Sequence, residues 1–124
     1  MKLEDIGFYT LTDNRAKHTS VHSDLQRCEL ILTDVCNFKC PYCRGIRDDY
    51  KGALTLDQAK RIVELWTDNR LKNIRFSGGE PTMWDPLADL VAYTKSRGVE
   101  RIALSTNGSA DLVYYIKLHE LGVS

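Results

Sequence analysis

Three thiols within eight residues are the most chemically capable feature of the sequence. They lie in Cys36-Asn37-Phe38-Lys39-Cys40-Pro41-Tyr42-Cys43, spaced C-x-x-x-C-x-x-C, while the fourth cysteine, Cys28, stands apart. Three thiolates on one compact loop can hold three irons of a cubane cluster and leave the fourth iron without a protein ligand, as a catalytic zinc site keeps one position open. The same thiols could instead close a zinc site with His18, His22 or Cys28, or stay unligated. Two disulfides would suit a secreted chain, but the N-terminus shows no basic-then-apolar leader, so a cytoplasmic protein is expected. In a reducing cytosol, clustered thiols serve metal or redox chemistry. Cys28, on a strand, reads as a small inert core residue.

The rest of the composition is ordinary. The chain has 124 residues, 43% hydrophobic and 27% charged, with 17 Lys+Arg against 17 Asp+Glu. That is enough for one domain with its own core, and it excludes disorder and collagen-like repeats. Apolar runs fall far short of the roughly 20 residues that span a bilayer. Zero net charge removes any whole-chain argument for nucleic-acid or membrane-surface binding. Locally, Lys39, Arg44, Arg47 and Lys51 make the cysteine loop basic, which suits an anionic substrate or a reductant as well as a solvated face.

One pattern must position these thiols, and it repeats three times after a polar N-terminal extension over residues 1–26. A strand-like run, Glu29 to Thr33, leads through the cysteine loop to a helix over 55–68. Thr55 and Gln58 form a capping-box pair there, and Ala59, Ile62, Val63 and Trp66 share one face. A second strand, Asn73 to Ser77, passes through Gly78-Gly79-Glu80-Pro81 into a helix with Asp85 as N-cap and Pro86 at its first position. Leu87, Leu90, Val91 and Thr94 make its buried stripe. The third strand, Arg101 to Ser105, leads through Thr106-Asn107-Gly108 into a helix from Ala110 to Leu121, with Leu112, Tyr115 and Ile116 expected buried. The expected class is therefore α/β: parallel βα units with functional loops at the strand C-terminal ends, three strands and three helices making the first half of a partial TIM-type barrel. A fourth strand would begin at Ser124. The edge after the third strand is then apolar and unpaired, so the rest of the barrel or another subunit is expected to cover it.

The cysteine loop, with an aromatic residue just before its last cysteine, resembles the motif of the radical S-adenosylmethionine (radical SAM) superfamily. Gly78-Gly79-Glu80-Pro81 resembles that family's GGE(P) motif and occupies the corresponding loop one βα unit later. The resemblance runs from about Arg27 to the end, a core domain over 27–124, and is nearest in motif to the branch of the molybdenum-cofactor cyclase and the peptide maturases. It implies an enzyme in which Cys36, Cys40 and Cys43 ligate a 4Fe-4S cluster and the open iron chelates S-adenosylmethionine. Reductive cleavage of that cofactor would give a 5′-deoxyadenosyl radical that abstracts hydrogen from a substrate, small molecule or peptide, with an electron donor such as flavodoxin or ferredoxin. It further implies that Gly78 and Gly79 admit the methionine part closely, that Glu80 accepts from its ammonium, and that Tyr42 lies near the adenine. Thr106 and Asn107 would face the cofactor. A zinc-stabilised binding module without catalysis, and a cluster-binding fragment inactive without the missing half, are the alternatives.

Overall fold

In a computed structural model, the structure describes residues 20–43 and 52–124. Three parallel strands, β1 (Arg27–Ile31), β2 (Asn73–Ser77) and β3 (Arg101–Leu104), form one sheet in the order β1-β2-β3. Helices α1 (Leu56–Asp68), α2 (Leu87–Ser96) and α3 (Leu112–Leu121) follow them in turn, and a short 3₁₀ turn, Pro81–Met83, precedes α2. This is the arrangement of parallel βα units expected of a partial barrel. The register pairs Arg27 with Asn73 and Ile31 with Ser77, then Asn73 with Arg101 and Phe76 with Leu104.

Strand alternation divides the sheet into two faces. Leu30, Ile74, Phe76 and Ile102 are buried in one core with Ala59 and Val63 of α1, Leu87, Leu90 and Val91 of α2, and Leu118 of α3. The opposite face carries Glu29, Ile31, Arg75 and Ser77, all of which line a cleft. Cys28 shares the parity of Leu30 and is partly buried against the core, where burial raises its thiol pKa. It therefore stands on the far side of the sheet from the cleft.

The capping box of α1 is formed: Thr55 Oγ1 accepts from the Gln58 amide at 3.2 Å and Gln58 Oε1 from the Thr55 amide at 2.9 Å. The α2 stripe Leu87, Leu90, Val91 and Thr94 is wholly buried.

Several boundaries differ from the sequence reading. β1 begins at Arg27 rather than Glu29, because the Asn73 amide donates to Gln26 O and draws the chain into register early. It ends at Ile31, after which the backbone divides between two partners: the Leu32 amide still donates to Ser77 O, while Leu54 donates to Leu32 O, Asp34 donates to Gly52 O, and Thr33 bridges Ala53. Residues 24–26, assigned to the extension, are stitched to the end of α1 through Leu25 and Asn69 and an Asp24–Arg70 ion pair; residues 1–19 lie outside the described residues. Pro86, not Asp85, is the N-cap of α2, since the Pro86 carbonyl accepts the first helical bond from Leu90 at 3.0 Å and no side chain caps it. α3 starts at Leu112 behind Asp111 rather than at Ala110. Leu112 and Ile116 are 73% and 49% exposed, so the expected stripe is wrong there. Among the described residues Leu118 is the buried residue of α3, with Tyr114, Tyr115 and Leu121 half-buried against the core, because the helix turns that side toward α2.

The far edge of β3 carries the start of a further pairing. Val123 bridges Ile102 in parallel, and the Ser124 amide donates to Ile102 O at 2.9 Å. No helix among the described residues is long and apolar enough to cross a membrane.

Candidate functional site

The three strand-end loops meet one another beside the cleft, which Cys43, Gly78, Gly79 and Ser105 help to line. The first carries the cysteines, the second Gly78-Gly79-Glu80, the third Thr106 to Ser109. The first two dock backbone to backbone: the Gly79 amide donates to Thr33 O at 2.7 Å and the Glu80 amide to Val35 O at 2.9 Å. A Cβ on Gly78 would sit 2.3 Å from Thr33 O, and one on Gly79 2.2 Å from Val35 O. The glycines are thus required by contact with the chain leading to Cys36, a demand the sequence reading placed on the cofactor instead. Gly78 also adopts φ +146°, a region L-residues avoid.

Glu80 is the buried centre of the site, with no exposed surface. Its Oε1 accepts from the Thr82 amide at 3.1 Å, the Thr82 hydroxyl at 2.7 Å and the Thr106 hydroxyl at 2.7 Å, and its Oε2 from the Asn107 amide at 2.6 Å. Burial pushes the carboxyl pKa up, but the bonds from Asn107, Thr106 and Thr82 outweigh it and hold the pKa below the ordinary value. Glu80 is therefore an ionised clasp between the second and third loops, its oxygens engaged by protein donors. Tyr115 steadies the third loop from α3, with its hydroxyl 2.9 Å from Thr106 Oγ1.

The third loop reaches the cysteines. Asn107 Nδ2 donates to Asn37 Oδ1 at 2.9 Å and to Cys36 Sγ at 3.8 Å, and Asn37 Nδ2 donates to Ser109 Oγ at 2.9 Å. The Phe38 amide also donates to Cys36 Sγ, at 3.4 Å. Cys36 and Cys40 are half-buried and Cys43 is exposed, and none of the four cysteines is in a disulfide. As the loop stands, no group of three His, Cys, Asp or Glu side chains among the described residues is gathered closely enough to hold a metal ion. Tyr42 is 87% exposed. His22 is exposed, and His119 Nδ1 lies 2.8 Å from Val123 O at the other end of α3. His18, Arg44, Arg47 and Lys51 lie outside the described residues.

The cleft below the loops measures about 460 Å³ and is lined by Cys43, Gly78, Gly79, Asp34 and the inner face of the sheet. Its floor is a polar ladder: Ser77 Oγ donates to Glu29 Oε1 at 2.6 Å, Arg75 Nε to Ser105 Oγ at 2.6 Å, and Arg75 lies 3.9 Å from Glu29. The sequence alone assigns no site role to Glu29, Arg75 or Ser77, nor to Asn37, Thr82 or Ser109. A signal for the ladder existed, because parallel strands covered on both faces read as nearly continuous apolar runs, and polar residues at alternate positions mark a face turned to a site.

Comparison with known proteins matches residues 30–124 to the Radical SAM superfamily, a span containing all three loops. The chain belongs to the radical SAM superfamily. Its relatives within that family include proteins named GTP 3′,8-cyclase. That of Vibrio parahaemolyticus is 34% identical over 95 residues, covering 70% of this chain and 28% of the relative. That of Tolumonas auensis is 39% identical over 83 residues, covering 64% and 25%, and that of Synechococcus elongatus 39% over 84 residues, covering 64% and 26%. This radical SAM chain thus spans about a quarter of the length of the curated relatives it matches.

Proposed function

We propose that the chain is the cluster-loop part of a radical SAM enzyme and that the enzyme acts on GTP, the substrate named for its relatives. The observation that supports this most strongly is the docking of the C-x-x-x-C-x-x-C loop onto the Gly78-Gly79-Glu80 platform at the mouth of one cleft. The donor set suits a 4Fe-4S cluster: three thiols come from one loop, and two N–H donors already face the first sulfur. Bound through Cys36, Cys40 and Cys43, with S-adenosylmethionine beside it, such a cluster would supply one-electron cleavage of the cofactor and hydrogen abstraction from substrate.

The chain's own residues would then bind and orient. Gly78 and Gly79 line the cleft and would offer a backbone surface to the methionine part, while Tyr42, exposed beside Cys43, would lie on the adenine. Glu80, Thr106 and Asn107 hold the loops in relation to one another. Arg75, Ser77 and Glu29 would orient the substrate from the floor. A flavodoxin- or ferredoxin-like donor would approach the exposed side of the cysteine loop, where Phe38 and Lys39 lie. The remaining barrel, or another subunit, would add to the β3 edge at which Val123 already pairs. A second reading, a cluster-binding part inactive without the rest, is favoured by the quarter-length coverage of the relatives.

Anaerobic reconstitution with iron and sulfide is expected to give the broad visible absorption of a 4Fe-4S cluster, and Cys40→Ala to abolish it. Colourless protein holding one zinc per chain would overturn the proposal and leave the zinc-stabilised module in its place. With dithionite, S-adenosylmethionine and deuterated GTP, label should pass into 5′-deoxyadenosine. A full cluster without cofactor cleavage would instead support the inactive part.

A further inference from the structure

We propose that Asn107 is a positioning residue for the cysteine loop, carrying the fixed position of the Glu80 carboxylate across to the first thiol, Cys36. Its backbone amide lies 2.6 Å from Glu80 Oε2, which fixes where the residue stands. Its side-chain orientation is fixed independently, because Oδ1 accepts from the Ser109 amide at 3.0 Å. That bond consumes the oxygen and forces Nδ2 to the other side. There Nδ2 finds Asn37 Oδ1 at 2.9 Å and Cys36 Sγ at 3.8 Å. Asn37 is locked in turn, since its own Nδ2 donates to Ser109 Oγ at 2.9 Å. Gly108, at φ +76° with its amide on Thr106 Oγ1, makes the tight turn that lets one residue face both ways.

The chemical consequence follows from the donor on sulfur, and it rests on the cluster reading above. An N–H aimed at a ligating thiolate stabilises the more electron-rich, reduced form of an iron–sulfur centre and raises its potential. Asn107 would thus both hold Cys36 and tune the cluster that Cys36 ligates.

Asn107→Asp removes that donor. The backbone bond to Glu80 and the bond from Ser109 to Oδ1 both survive the change, the N–H pair is exchanged for a charged carboxylate, and Asn107→Ser, which removes the donor without adding charge, separates the two effects. In the metal-free chain, amide exchange at Phe38, whose N–H is held on Cys36 Sγ, is expected to quicken roughly tenfold for N107D, as the bonds from Nδ2 to Asn37 Oδ1 and Cys36 Sγ are both lost. In the cluster-loaded chain, the reduced form should be disfavoured about tenfold, a fall in midpoint potential of about 59 mV for a one-electron couple. Folded N107D with wild-type exchange and wild-type potential would overturn the proposal. Where N107D fails to fold by far-UV circular dichroism, Asn107→Ser, which keeps an acceptor for the Ser109 amide, is read by the same two measurements. A wild-type chain that takes up no cluster would sink the functional reading, while faster exchange in metal-free N107D would still establish the positioning role.

Discussion

Gly79→Ala is expected to part the cysteine loop from its platform and abolish iron uptake. The added Cβ would lie 2.2 Å from Val35 O, 2.6 Å from Val35 C and 2.8 Å from Asp34 O, every one of them backbone. No side chain can rotate away, so the two loops must separate, and the bonds Gly79 N to Thr33 O and Glu80 N to Val35 O go with them. The loss should reach about 3 kcal/mol or more, the range reserved for a clash within a packed, hydrogen-bonded region. Gly108→Ala is the control that separates clash from backbone strain. It stands at φ +76° with nothing within 4 Å of its Cβ, so it should cost only about 1 kcal/mol. Urea midpoints give the stabilities and bound iron per chain gives the function. A Gly79→Ala protein that loads iron like wild type would mean that the platform does not position the thiols.

Glu80→Gln keeps the size of the side chain and removes its charge and one of its two acceptor oxygens. Thr82, Thr106 and the Asn107 amide would then compete for what remains, and an NH₂ would face donors it cannot satisfy. A loss of about 3 kcal/mol is expected, from charge-assisted bonds worth roughly 1.5–3 kcal/mol each and only partly replaced. The pH dependence gives the sharper reading. Because the folded carboxyl pKa is depressed, the unfolded chain binds the proton first as pH falls. The stability from Glu80 is fully present above the unfolded carboxylate pKa, about 4.3, and is lost as pH drops through the lower folded value. Wild type should therefore show a steep acid limb that Glu80→Gln flattens. Superimposable acid limbs in urea titrations of the two proteins would show that the four hydrogen bonds carry no net weight.

Much of this architecture is legible in the chain because local chemistry and tertiary demand agree. Thr55 and Gln58 specify a helix start by themselves, and the α2 stripe repeats with a helical period and is buried throughout. Where one local signal has to stand for a three-dimensional neighbour, it misleads. Leu112 and Ile116 have the spacing of a buried face, yet α3 meets the core through Leu118. Asp85 is a good capping residue, but the Pro86 carbonyl already serves the first turn. The motif residues were visible as a set, and their tasks were not. A pair of glycines before a glutamate reads as room for a ligand, and the position of Thr33 and Val35 shows that it is room for a backbone as well. The polar ladder of Glu29, Arg75, Ser77 and Ser105 needed the strand register to bring its members together.

The bonds that tie Asn37 to Asn107 and Ser109 bridge 70 and 72 positions of the chain. Contacts so distant in sequence form only after the intervening loop has been closed, and they reward a folding chain late. On a ribosome the thiols emerge long before the third-strand loop that steadies them. A scaffold wired in this way sets a schedule: the cysteine loop acquires its second support only once β3 has joined the sheet, so a cluster bound by its thiols would meet the finished loop after the sheet is assembled and not before.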